Sequence, residues 1–197
     1  MNNFWDERYA EEEYVYGTAP NKYFKQELEK LTPGKILLPG EGEGRNAVFA
    51  ATQGWKVTAF DSSLEGKKKA EMLALKNKVY IEYRISDYEN IQFDPEEYDC
   101  LALIYTHMPG SARTKYHKKL ASFLKPGGIL ILECFSKEQI NQNTGGPKNV
   151  DMLYSKEELQ DDFSGFTALK ITEAEIDMNE GKFHKGKAFV IRIYGIK

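Results

Sequence analysis

The chain has 197 residues, 41% hydrophobic and 29% charged, with a formal net charge of −3. That is enough apolar material for a packed core in one domain spanning 1–197, and the slight acidity gives no footing for a nucleic acid or an anionic membrane as main partner. The two cysteines, Cys100 and Cys134, have no metal-type spacing, the start is polar and no apolar run approaches a membrane span; the expectation is a soluble, cytoplasmic, reducing-compartment protein with no metal site.

In chain order, the first 31 residues form a helical cap segment. It opens with aromatics (Phe4, Trp5, Tyr9, Tyr14, Tyr16) set among acids and continues into a helical stretch over 21–31 that stops at Thr32-Pro33-Gly34. Strands are then predicted at 35–38, 56–60, 79–84, 98–104 and 129–135, with helices between them at 45–53, 64–77 and 112–124. Gly54 reads as the residue just past a helix end. Ser62-x-x-Glu65 and Ser155-x-x-Glu158 read as capping boxes, and Pro126-Gly127-Gly128 as a turn. Strand–helix alternation of this kind builds βαβ units and a mostly parallel, doubly wound sheet. The last two strands, 167–176 and 188–194, have only a Gly/Asn-bearing connector between them, so the final strand is expected to run antiparallel. His117 lies on a helix with Lys115, Lys118 and Lys119 and reads as a surface residue.

The stretch Ile36-Leu-Leu-Pro-Gly-Glu-Gly-Glu-Gly-Arg-Asn46 passes from a strand through Gly40, Gly42 and Gly44 into a helix start. In an open α/β sheet a nucleotide-like cofactor lies at such a turn. The dinucleotide fingerprint wants a third glycine where this chain has Arg45. Glu41 and Glu43 also place negative charge where a diphosphate would come. S-adenosylmethionine carries a sulfonium and an ammonium and no phosphate, so an acidic glycine loop is compatible with it. Asp61, ending the second predicted strand, is placed to accept from ribose hydroxyls. Asp87 is placed to accept from an adenine amine, and Tyr88 to offer its backbone N–H. Each acid has a plain alternative, Asp61 as a helix N-terminal charge and Asp87 as a turn former.

With these motifs the chain resembles the class I S-adenosylmethionine-dependent methyltransferases, and within them the group around the tellurite-resistance and thiopurine methyltransferases. The resemblance rests on Phe4-Trp-Asp-Glu-Arg-Tyr9, Tyr16-Gly-Thr-Ala-Pro-Asn21, Gly40–Val48, Val57–Asp61 and Leu124–Ile129. It continues in Gly145-Gly-Pro, Met152–Ser155 and Glu180-Gly-Lys-Phe-His-Lys-Gly186. It implies a seven-stranded Rossmann-like methyltransferase fold with an antiparallel last strand. The cofactor set is Gly40, Glu41, Gly42, Gly44, Asn46, Asp61, Ser62, Asp87, Tyr88, Tyr105 and Thr106. One departure stands out: such enzymes commonly have an acid two residues before the first glycine, and here that residue is Leu38.

The acceptor side has three sources. Tyr16 and the other N-terminal aromatics suit a sulfonium cation. Tyr105, Thr106 and His107 follow the fourth strand, where His107 is placed to accept a proton. His184 and Glu180 lie in the last connector, which reaches the site if strand 167–176 runs parallel to the main sheet. The catalytic candidates are therefore Tyr16, His107 and His184, acting on a small-molecule acceptor. The resemblance points to a soft heteroatom, sulfur, selenium or tellurium. Two other readings compete: an NAD-linked oxidoreductase, which lacks its third glycine here, and a cofactor-binding protein without catalysis, which Leu38 leaves open.

Overall fold

A computed structural model describes residues 3–197. In chain order the elements are α1 (Asn3–Tyr9), α2 (Lys22–Leu28), β1 (Lys35–Pro39), α3 (Arg45–Thr52), β2 (Lys56–Asp61), α4 (Leu64–Lys76) and β3 (Glu82–Ile85). They continue with β4 (Tyr98–Ile104), α5 (Gly110–Ser122), β5 (Leu124–Phe135), α6 (Lys156–Asp162), β6 (Ala168–Asn179) and β7 (Lys185–Ile196). The strands form one sheet in the order β3-β2-β1-β4-β5-β7-β6. The first five are parallel, and β7 runs antiparallel to both β5 and β6. β6 is thus parallel to the main sheet. The β6–β7 connection therefore lies at the same edge as the C-terminal ends of β1, β2 and β4.

Alternation along the strands decides which helix covers which face. Ile36, Leu38, Val57, Ala59, Cys100, Ala102 and Ile131 pack with Phe24 and Leu28 of α2, Ala47 and Ala50 of α3, and Leu73 and Ala74 of α4. Leu37, Leu101, Leu103, Leu130, Leu132 and Cys134 face the other way, against Leu120 of α5 and Leu159 of α6. The two thiols are free, buried and on opposite faces of the sheet.

The chain order turns back between β1 and β4: from β1 it runs outward to β2 and β3, then returns to β4 on the other side. That switch point opens a crevice at the strand ends, where ligands bind in such sheets. Four local expectations are corrected. The cap of α4 is Ser63, whose side chain accepts from Gly66 N, and not Ser62. β3 is shorter than predicted, and β5 starts earlier, at Leu124. His117 is fully buried rather than on the surface, because Asp162 of α6 reaches across to it at 2.8 Å. The box at Ser155 and Glu158 has both of its bonds, and Gly54 takes φ +89° just beyond α3.

Candidate active site

The glycine loop is held by its own carboxylates. Glu41 Oε1 accepts from Asn46 N and Ala47 N, both at 2.8 Å. It caps the start of α3, where the free N–H groups and the helix dipole would otherwise draw an anion. A pyrophosphate would have to displace this carboxylate. Burial pushes the Glu41 carboxyl up to about 7 against the pull of those two N–H groups. Glu43 turns the other way. It is buried and accepts from Val15 N at 2.9 Å and Tyr16 N at 3.4 Å, and it pairs with Lys69 at 2.9 Å. Glu43 therefore anchors the N-terminal segment to the loop.

Gly42 is gripped on every side. Its N–H donates to Asp61 Oδ2 at 3.0 Å, and its carbonyl accepts from Tyr83 OH at 2.6 Å. It has φ +60°, and a Cβ there would lie 2.5 Å from the Tyr9 hydroxyl. Gly44 has φ +85°, and its Cβ would lie 2.7 Å from the Ala70 backbone, which brings the loop down onto α4. Beside Gly40 stand the Tyr88 hydroxyl and the Thr106 methyl.

Asp61 is buried and also accepts from Ser63 N at 2.9 Å; burial raises its pKa despite these bonds. Ser62 is its half-buried neighbour. Asp87 is exposed and accepts from Asn90 N at 2.7 Å, the turn-forming arrangement. Asn46 Oδ1 accepts from Asn21 N at 2.9 Å, so this side chain ties the start of α3 to α2. Leu38 is fully packed in the core under α2–α4.

On the acceptor side the structure brings Tyr16, Tyr105 and His184 together. The His184 ring lies 4.5 Å from Tyr16 and 4.9 Å from Tyr105, centroid to centroid, with Phe135 at 5.4 Å. Tyr16 accepts at its hydroxyl from Arg8 at 3.2 Å. Tyr105 sits at φ +55° and donates to Glu133 at 2.7 Å.

His107 does not join them, which corrects the expectation that it accepts a proton. Its Nε2 accepts from Phe135 N at 3.2 Å, so Nδ1 carries the hydrogen and donates to Met152 O at 2.6 Å. Both ring nitrogens are spent on backbone, and burial pushes the imidazole down to about 4. It is a strut between β5 and the segment before α6.

Glu133, Asn21, Arg192 and Arg45 complete the site, and none of them is among the site residues expected from sequence. Glu133, a lone carboxylate in the apolar run of β5, is buried and accepts from Asn21 Nδ2 at 2.6 Å and Arg192 Nε at 2.6 Å. Arg45 pairs with Glu180 of the hairpin at 2.8 Å. An acid inside an apolar strand is a readable signal, since it must find partners when buried. The identity of those partners depends on which strands meet.

The sheet order, the reversed last strand and the crevice at the strand ends define the Rossmann-like methyltransferase fold. Residues 36–128, from β1 to the start of β5, match the family described as methyltransferase domain. The chain is 31% identical over 120 residues to a ubiquinone biosynthesis O-methyltransferase of Xanthomonas euvesicatoria pv. vesicatoria, covering 59% of this chain and 48% of that protein. It thus spans about half the length of the curated relatives it matches. Among solved structures, one from work on the conversion of a disulfide bond into a thioacetal group during echinomycin biosynthesis superposes with a TM-score of 0.82. It is 16% identical and covers 100% of this chain and 91% of that one. TehB of Haemophilus influenzae gives a TM-score of 0.71 at 17% identity, covering 99% and 66%. A S-adenosylmethionine-dependent methyltransferase of Methanosarcina mazei gives 0.67 at 18%, covering 91% and 98%. No helix among the described residues is long and apolar enough to cross a membrane.

Proposed function

We propose that this protein is an S-adenosylmethionine-dependent methyltransferase acting on a small molecule through a soft heteroatom, sulfur, selenium or tellurium. The observation that carries the reading is Glu41. With its carboxylate on the α3 N-terminus, the loop rejects a diphosphate and suits a cationic cofactor. This is a point against the NAD-linked alternative that no single glycine decides.

The remaining cofactor residues fit the same group. Asp61 keeps acceptor capacity after its two N–H bonds, which suits ribose hydroxyls. Asp87 and Tyr88 stand at the end of β3 for an adenine, and Tyr105 and Thr106 follow β4 for the methionine part. Both bonds to Glu41 end on Oε1. Its second oxygen then serves the cofactor's ammonium, the task that Leu38 cannot perform. When bound, S-adenosylmethionine would supply an electrophilic methyl, its carbon–sulfur bond breaking as the bond to the acceptor atom forms, the sulfonium sulfur keeping the electron pair and a thiol or selenol acceptor losing its proton.

The protein's part is alignment, exclusion of water and a place for that proton. Tyr16 and Tyr105 wall the site with aromatic faces suited to a cation, and His184 accepts the proton. Burial pushes its pKa down despite Glu180 beside it, so the imidazole is neutral and able to accept at neutral pH.

A soft acceptor needs the least help, because a thiol is partly ionised near neutral pH. An oxygen acceptor is the second reading, raised by the ubiquinone-pathway relative. Release of S-adenosylhomocysteine across a panel of small thiols, selenols, tellurite and catechols tests both. The soft reading predicts turnover with the sulfur, selenium or tellurium compounds. Turnover with catechols alone would replace it by the oxygen reading, and no turnover with any acceptor would leave a protein that binds the cofactor without catalysis.

A further inference from the structure

His184 is buried, and its Nδ1 has no hydrogen-bond partner among the described residues. An orphaned ring nitrogen inside a protein costs free energy, so its surroundings call for an explanation. Glu180 Oε2 lies 3.8 Å from Nδ1, a separation that rotation of the ring would have to close. Glu180 is itself well fixed. Arg45 pairs with it at 2.8 Å, and Asn21 Nδ2 donates to its other oxygen at 3.3 Å.

From the remaining sides His184 faces Tyr16 of the N-terminal segment, Tyr105 after β4, Phe135 of β5 and Gly145 of the 141–150 loop, and the Arg45 guanidinium acts on it from beyond Glu180. Glu133 is the further acid of this neighbourhood, and it is already occupied by Tyr105, Asn21 and Arg192. Glu180 alone is placed to receive a hydrogen from Nδ1.

We propose that Glu180 is a positioning residue that holds His184 in the Nδ1-protonated form and so presents Nε2 as the proton-accepting atom. The inference rests on the reading of His184 as the proton acceptor and adds to it the tautomer and the residue that sets it. A carboxylate on one ring nitrogen sets the proton on that nitrogen and stabilises the imidazolium formed when the other accepts. Arg45 acquires a role by the same route. The residue that replaces the third glycine of the dinucleotide fingerprint tethers Glu180, and through it the acceptor side, to the cofactor loop. Glu180 also lines a cavity of about 250 Å³ shared with Lys22, Gln26, Glu133, Asn179 and Arg192.

The burial of Glu180 acts to raise its pKa, but His184 and Arg45 beside it prevail and hold the carboxyl at about 2. It therefore stays ionised through the working range. Nitrogen-15 NMR of the ring signals of the three histidines, in the protein without cofactor, reads the tautomer directly. The wild type should show His184 with hydrogen on Nδ1. Glu180→Gln should shift it toward Nε2–H and lower kcat roughly 10- to 100-fold, with KM for S-adenosylmethionine unchanged; Glu180→Asp should restore part of kcat. A wild-type His184 carrying its hydrogen on Nε2 overturns the inference, as does a Glu180→Gln protein that keeps both tautomer and kcat. The wild-type spectrum decides the matter even if the variant does not fold. A protein that shows the Nδ1–H form but never binds S-adenosylmethionine would instead refute the methyltransferase reading.

Discussion

Glu41 and Glu43 sit two positions apart in the loop and do different work. One caps α3 and the other anchors the segment around Val15. Their residue type argues for a cationic cofactor, and that much is legible in the sequence alone. What each carboxylate touches is not, because it depends on φ at the glycines between and beside them. Those glycines make a direct prediction. Gly44→Ala should cost about 2–5 kcal/mol in chemical unfolding, combining left-handed strain with a clash against the Ala70 backbone. Gly42→Val should fold less stably and lose measurable binding of S-adenosylhomocysteine; unchanged affinity would count against the loop assignment. His107 and His117 show where residue types mislead. A histidine next to a strand end reads as a base, and one among lysines reads as exposed. Each is instead buried against partners from distant parts of the chain, Met152 and Phe135 in one case and Asp162 in the other.

At the scale of elements, the N-terminal segment is clamped to the loop and to the hairpin by separate contacts. Asp6 of α1 accepts from Ser63 Oγ at 2.6 Å, Glu43 receives Val15 N and Lys69, and Lys182 pairs with Glu11 at 3.0 Å. The Glu43–Lys69 pair is buried, so removing one partner leaves an uncompensated charge. Glu43→Ala should destabilise by about 3–5 kcal/mol and speed hydrogen exchange at Val15 and Tyr16; exchange confined to α1 would show that other contacts hold the segment. The elements themselves are largely visible in the sequence. Strand–helix alternation locates β1, β2 and β4 and the helices between them, and the Gly/Asn connector shows the reversed last strand. The joint between first and last elements is not visible there, because Asn21, Arg45, Glu133 and Glu180 are far apart in the chain and meet only once β5 and β7 pair.

For the whole molecule, buried histidines tie stability to pH. A histidine whose folded pKa lies below its unfolded value weakens the fold as pH falls, since the unfolded chain binds the proton first. His107 is depressed by burial to about 4 and His117 is lowered by burial against the pull of Asp162. The stability carried by these two rings should therefore decline from pH 6.5 down to about 4, while Glu41, whose carboxyl burial raises to about 7, works in the opposite direction because its folded form binds the proton first. The contribution of His107 to that loss is roughly 3 kcal/mol. Thermal unfolding of the wild type and of His107→Asn, followed across this range, should show the wild type losing more stability than the variant as pH falls. Parallel pH profiles of the two proteins would contradict the burial of the His107 ring.

The acidic glycine loop should take S-adenosylmethionine and refuse a dinucleotide. Isothermal calorimetry of the wild-type protein with S-adenosylmethionine, S-adenosylhomocysteine and NAD tests it most directly. Both sulfur nucleotides should bind saturably and NAD should not bind. Binding of NAD with no heat from either sulfur nucleotide would contradict it.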